Sequence, residues 1–395
     1  MIEVVGGCYR ERCVFPNWAQ LYGSGARAAA LIPSLGGAAR LHSFADDRAK
    51  ADLSCLAKNY NFSCKVHESL ITPEFFYLHA LSTPVVNSVP SCPKIDVEGE
   101  VILRFGMLEA ETVVHGKKVI YDPQSGSPEH FFENGSTAER LALVLNLKEI
   151  QALTGEDDPY EAIKMLSHDK RVEVVIVKMG PDGGVIYSNG EVLTIPCIKT
   201  PRVFPIGSGD VFSATFAYYW GEKDVSSYEA ALLATKATAC YCASSSLILP
   251  PNFQDTISEE QECRPKLNSQ VRQVYLAGPF FNIAERWLIE ELRQILLGFG
   301  FKVFSPVHEI GPGKANDVAP KDIEGLQNCD VIFAVVNGLD SGTIFEIGYG
   351  RALDKPVFVL AQNEKEEDLK MIAGTKCMVS SELATLIYQL AWSER

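Results

Sequence analysis

The sequence predicts an α/β protein of two units, a three-layer α/β/α sandwich followed by a smaller α/β domain with a parallel sheet. Three observations carry that prediction. The chain has 395 residues, more than one ordinary domain holds. Its first ~250 residues alternate strand-like and helix-like segments, the pattern of helices covering a sheet. After ASSSLILPPNF (243–253) comes a polar, acidic stretch, QDTISEEQECRPKLNSQ, with no periodic apolar pattern, and a second strand–helix alternation starts behind it. The expected boundaries are 1–253, a linker at 254–270, and 271–395.

In the first unit, Met1–Val5, Phe75–His79, Val101–Phe105, Lys118–Asp122, Leu143–Asn146 and Val174–Lys178 read as strands, being short runs rich in Val, Ile, Leu and Phe. Glu149–Thr154, Tyr160–Leu166 and Tyr228–Ala243 read as helices. FPIGSGDVFSATFAYYWG (204–221) is more informative. Its loop Gly207-Ser208-Gly209-Asp210 leads into a helix expected near Val211. Glycines let the backbone approach an anion, and the free N–H groups of a helix start point at it. An aspartate there would repel a bare phosphate, which suggests chemistry: Asp210 could take the proton of an attacking hydroxyl while the amides stabilise a transferring phosphoryl group. A plain glycine-rich helix cap is the alternative.

The second unit opens on VYLAGPFFN (274–282), a strand, a Gly-Pro turn and then the amphipathic helix Ala284–Leu297, followed by a strand at Phe301–Phe304. CDVIFAVVNG (329–338) reads as a buried strand, because it is almost continuously apolar. It runs into DSGTIFEIGYGRALDKPV (340–357), which places Glu346 at an expected helix start, six residues after Asp340, among small residues that include Gly342. Ligands of open α/β sheets lie at the carboxyl ends of strands. Two carboxylates there suit glycosidic chemistry, one as nucleophile and the other handling protons. A glutamate at a helix start is otherwise a favourable charge against the dipole.

Composition excludes other classes. Apolar residues at 47% and charged residues at 22% describe globular protein. A formal charge of −14 argues against nucleic-acid binding, which needs basic surface. No apolar run approaches the ~20 residues that span a bilayer, and MIEVVGGCYRERC does not read as a signal peptide. The eleven cysteines are odd in number and scattered, without paired CxxC motifs. Structural zinc is therefore not expected, and reduced cysteines in a cytoplasmic protein are.

On the motifs YLAGPFF, PKDIEGLQNCD and DSGTIFEIGYG, residues from about 272 to the end resemble the nucleoside 2-deoxyribosyltransferase family, some relatives of which hydrolyse deoxynucleoside 5′-monophosphates. The resemblance implies a flavodoxin-like or Rossmann-like domain. It makes Glu346 the nucleophile at C1′, with Asp340 holding sugar hydroxyls or assisting proton transfer. Asp322 would face the base, Gly278, Pro279 and Phe280 would line the pocket with Gly342, and no cofactor would be needed.

The first unit resembles the ribokinase-like, PfkB-type sugar and nucleoside kinases. GSGD matches the family's GAGD loop, which carries the catalytic base over to Asp210, with Gly207, Ser208 and Gly209 as the anion hole. Asn146 and Glu149 in NLKEIQALTG match the motif associated with phosphate and magnesium, Glu149 acting on the metal indirectly. VVIVKMGPDGGVIYSNGE (174–191), with Lys178 and Gly180, matches the hairpin before the ATP site, and YDPQSG (121–126) matches an Asp-Pro segment. ATP and Mg²⁺ are the implied cofactors. The chain departs from the family at Phe204-Pro205-Ile206, which stands where Asp-Thr-Thr is usual, and at Arg27 in GSGARAAALIPSLGG, where an Asn is usual. The stretch Gly7 to Tyr22 is also short for the family's substrate lid. Arg27 either favours an anionic substrate or is a plain surface arginine.

The expected protein is thus a bifunctional enzyme of nucleoside or nucleotide metabolism, acting on small nucleoside, nucleotide or sugar substrates. A homo-oligomer is implied by resemblance. The alternatives are an N-terminal pseudokinase that regulates a C-terminal nucleotide N-hydrolase, and a nonenzymatic nucleotide sensor.

Overall fold

The computed structural model describes residues 1–255, 261–264 and 271–393. It divides into two compact units, Met1–Pro265 and Lys266–Arg395.

The first unit is built on a nine-stranded sheet. From edge to edge its strands are Glu191–Ile195, Gly184–Ser188, Val172–Lys178, Thr137–Asn146, Thr112–Asp122, Ile95–Phe105, Ile2–Val5, Ala39–Ala45 and Ser63–Glu68. Neighbours from Val172–Lys178 onward pair in parallel, and the hairpin at the first edge pairs antiparallel. The two-residue period of a strand sorts its side chains between two cores. Val4, Leu103, Val144 and Ile176 pack with helices Gly23–Leu31, Ser208–Phe216 and Ser227–Ser244. Val5, Ile102, Leu145 and Val177 pack with Ile150 and Ile163, from helices Leu147–Thr154 and Pro159–Ser167. Two cores on one sheet make three layers.

A second sheet of this unit orders Trp18–Leu21, Arg10–Phe15, Glu74–His79 and Val85–Val86. The expected strand at 75–79 belongs here and not to the large sheet. The stretch 7–22, short as it is, folds into the hairpin of this sheet. Within the expected linker, Glu262–Cys263 pairs antiparallel with Cys197–Ile198; residues 256–260 and 265–270 of that stretch lie outside the described residues.

The second unit has five parallel strands in the order Lys302–Phe304, Gln273–Ala277, Val331–Val335, Val357–Leu360 and Met378–Ser380. Numbered along the unit that is 2-1-3-4-5, a doubly wound order whose switch point lies between Gln273–Ala277 and Val331–Val335. Val331–Val335 is fully apolar and buried, and Gln273–Ala277 is buried beyond its first residue, as parallel strands covered on both faces must be. Helix Ile283–Gly298 starts in a capping box, in which Asn282 and Glu285 satisfy each other's backbone N–H groups. Among the described residues no helix is long and apolar enough to cross a membrane. None of the eleven cysteines is joined in a disulfide.

Candidate active sites

In the first unit, Asp122, Asn146 and Lys178 are the last residues of three neighbouring parallel strands, so one sheet edge presents all three. Lys178 Nζ and Ser213 Oγ both donate to Asp122 Oδ2, each at 2.7 Å. Burial pushes the Asp122 carboxyl up against the pull of Lys178. Glu149 is pushed up to about 7 by burial and by Asp122, with Lys178 opposing. Asn146 and Glu149 have a local task as well. They form the capping box of helix Leu147–Thr154, Glu149 N donating to Asn146 Oδ1 at 2.9 Å and Asn146 N to Glu149 Oε2 at 2.8 Å. Among the described residues no three His, Cys, Asp or Glu side chains converge to hold a metal ion. A magnesium ion carried in on nucleotide phosphates needs only one or two carboxylates, the rest of its shell being water, and Glu149 fits that lesser demand.

The helix expected near Val211 begins at Ser208, which puts Ser208, Gly209 and Asp210 in its first turn. Gly207 precedes it with φ +80°, a conformation that favours glycine. A Cβ on Gly209 would stand 3.3 Å from Lys178 Nζ, so that cation lies beside the helix start. Gly180 opens a short 3₁₀ turn, Gly180–Asp182, just after Lys178.

Asp210 does not stand free. Arg27 Nη1 donates to its Oδ2 at 2.5 Å and Gln124 Nε2 to its Oδ1 at 2.5 Å. The other arm of Arg27 donates to Glu11 Oε2. Arg27 is 1% exposed, Asp210 and Glu11 6% each, so the reading of a surface arginine is overturned. The Arg27 guanidinium also lies over the Tyr22 ring, 5.3 Å from its centroid. Burial pushes the Glu11 carboxyl up even though Arg27 pulls it down. Burial alone would lower Arg27; Glu11, Tyr241 and Asp210 reverse that and hold it well above its ordinary value. Such a triad resists piecemeal removal, since leaving one buried partner uncompensated costs about 3–5 kcal/mol.

In the second unit, Glu346 lies in helix Ser341–Ala352. It was expected at the helix start, but stands in the second turn, because Asp340 is the N-cap. Asp340 Oδ2 accepts from Thr343 N at 2.8 Å and Thr343 Oγ1 at 3.0 Å. Gly342 sits in the first turn, beside Asp340. Tyr275, on the strand at the switch point and fully buried, donates its hydroxyl to Glu346 Oε1 at 2.6 Å. Glu346 is pushed up to about 7, chiefly by burial and further by Asp322 and Asp340, while the Tyr275 bond pulls it down.

Asp322, on helix Ala315–Asn328, keeps Oδ1 buried with no hydrogen-bond partner, and burial raises its carboxyl. Gly278, Pro279 and Phe280 follow the strand that bears Tyr275. A Cβ on Gly278 would fall 2.7 Å from Ile289 Cδ1, so a larger residue there would push that side chain of helix Ile283–Gly298 aside. Glu346, Tyr275, Asp322 and Asp340 thus form one electrostatic group at the switch point.

Four of these residues escape sequence reasoning as site members. Tyr275 lies inside the motif YLAGPFF, and Asp122 and Gln124 inside YDPQSG, so proximity to a motif marks them. Glu11 carries no local signal, because its partner is supplied by the tertiary fold.

Comparison with known proteins agrees with both units. Residues 115–252 match the model of the pfkB family carbohydrate kinase, and residues 274–382 match that of nucleoside 2-deoxyribosyltransferase. No curated protein matches the chain. Among solved structures, the chain is similar to a pyrophosphate-dependent kinase in the ribokinase family complexed with a pyrophosphate analog and myo-inositol, at 14% identity and a TM-score of 0.50, covering 65% of this chain and 100% of that one. It is similar also to phosphofructokinase-2 from Escherichia coli in complex with substrates and products, at 14% identity and a TM-score of 0.50, covering 65% and 97%. At such identity the likeness establishes the fold: the first unit is a ribokinase-like sandwich, and the second is a smaller domain on an all-parallel five-stranded sheet.

Proposed function

We propose that this chain is a two-domain enzyme of nucleoside or sugar metabolism whose second unit breaks or transfers the N-glycosidic bond of deoxynucleosides or their 5′-monophosphates. The observation that carries this is the Tyr275–Glu346 pair, a carboxylate near 7 held by a buried phenol at the sheet switch point. Glu346 attacks C1′, the C1′–N bond breaks, and the base leaves with a proton. Asp322, half-buried and raised, is suited to hand that proton over. Water or a second base then attacks C1′ and releases Glu346, with retention overall. Asp340 Oδ1, the oxygen the helix cap does not use, is left for a sugar hydroxyl.

The test is chromatography of base release from deoxynucleosides and deoxynucleoside 5′-monophosphates, with and without a second free base, beside Glu346→Ala. Release from monophosphates alone makes the unit a hydrolase, and base exchange on nucleosides makes it a transferase. No release, or release that survives Glu346→Ala, rejects the reading.

For the first unit, the matching family supports phosphoryl transfer from ATP to a sugar or nucleoside hydroxyl. Asp210 would be the base, the helix start would cradle the phosphates with Lys178 nearby, and Mg²⁺ would neutralise phosphate charge. The two units would then share a metabolite. Transfer only to acceptors unrelated to nucleosides would count against that coupling. A second reading, a pseudokinase module, is favoured by one observation: both oxygens of Asp210 are engaged by Arg27 and Gln124. ATP turnover with a panel of nucleosides and pentoses, compared with Asp210→Asn, separates the two.

A further inference from the structure

We infer that Arg27 is an internal occupant of the first unit, filling the place of a phosphoryl acceptor and latching the four-stranded sheet shut. A hydroxyl that gives its proton to Asp210 must come within about 2.6–3.2 Å of a carboxylate oxygen. Arg27 Nη1 already stands 2.5 Å from Oδ2, and the carboxylate is buried. The guanidinium also lies across the start of helix Ser208–Phe216. A Cβ on Gly207 would fall 2.2 Å from Arg27 Cζ, so only glycine leaves room for it.

The same side chain joins two parts of the unit that an acceptor would have to part. Glu11 belongs to strand Arg10–Phe15 of the small sheet, and Asp210 to helix Ser208–Phe216 against the large one. Arg27, from helix Gly23–Leu31, pairs with both. Tyr77, on the neighbouring strand of the small sheet, feels Glu11, Arg27 and Asp210 together, so the sheet walls the triad from a second strand. The small sheet is therefore held down by the protein's own charges, with no ligand required. This inference rests on the pseudokinase reading, and it names the residue responsible.

The experiment is amide hydrogen exchange on the full chain, together with ADP formation from ATP in the presence of pentoses and nucleosides. Wild type is compared with Arg27→Asn and with Glu11→Gln, which strips the charge from the tether but keeps Arg27 on Asp210. The expected result is exchange at least about tenfold faster in residues 10–21 and 74–79 of both variants, with strand Thr137–Asn146 unchanged. Wild type forms no acceptor-dependent ADP. If Arg27→Asn loses protection throughout the unit, Glu11→Gln decides the matter alone. Unchanged exchange in the small sheet overturns the latch and leaves the pseudokinase reading standing. Acceptor-dependent ADP from wild type that Asp210→Asn removes overturns both.

Discussion

Tyr275 donates its hydroxyl to Glu346 Oε1 at 2.6 Å, tying the first strand of the second unit to the helix that follows its third. The bond spans 71 residues of sequence and sits where the strand order reverses. It opposes the burial that pushes Glu346 up, so the carboxylate is poised near neutrality and not locked in its acid form.

Glu346→Gln should lower kcat/KM for base release by at least about 10³-fold, the scale expected when an activated nucleophile is lost. It should also change stability with a definite sign. A carboxyl raised to about 7 in the fold and ordinary when unfolded favours the protonated folded state, so its ionisation weakens the fold as pH rises from about 4.5 to 7. Thermal unfolding should find Glu346→Gln more stable than wild type at pH 8 and equal to it at pH 4. A loss of stability at both would point to a merely structural role.

The pH profile follows from the same group. As nucleophile Glu346 must be ionised, so kcat/KM should fall about tenfold per pH unit below a midpoint near 7. Tyr275→Phe removes the bond that lowers Glu346 and should move that midpoint upward. A profile flat from pH 5 to 8 would exclude Glu346 as the titrating nucleophile.

Asp322→Asn tests the proton donor. Losing the proton donor should slow base release by about 10²–10⁴-fold. An unchanged rate would reject Asp322 as the donor.

Gly25→Ala tests the packing that aims Arg27. A Cβ at Gly25 would lie 2.5 Å from Gly6 O and 2.6 Å from Gly6 C, and backbone cannot step aside as a side chain can. Helix Gly23–Leu31 should be forced outward, destabilising the first unit by at least ~2 kcal/mol in denaturant titration. An unchanged midpoint would mean that the helix shifts without cost.

Much of this architecture is legible in the sequence because buried parallel strands are written as apolar runs. VVIVK and VIFAVV name their strands, and DSGT names a helix start through its capping aspartate. That cap explains the misplacement of Glu346 by a turn: both ends of the motif are acidic, and only Asp340 accepts from Thr343 N. The hairpin at 10–21 is less legible. RERCVF mixes charges into a strand whose Glu11 is buried, which pattern alone reads as surface. Arg27 is opaque for the same reason: Asp210, 183 residues away, supplies the reason for its burial.

The short strand Glu262–Cys263 bears on where the first unit can be severed. Beyond Phe253 the chain still grips its own body: Lys236 Nζ donates to Gln254 O at 2.6 Å, Gln254 Nε2 to Tyr219 Oη at 2.6 Å, and Cys263 pairs with Cys197. A fragment cut at Phe253 would bare the edge at Cys197–Ile198, an unpaired row of backbone groups that invites sticking to other chains. A cut placed after Arg264 carries its own cover.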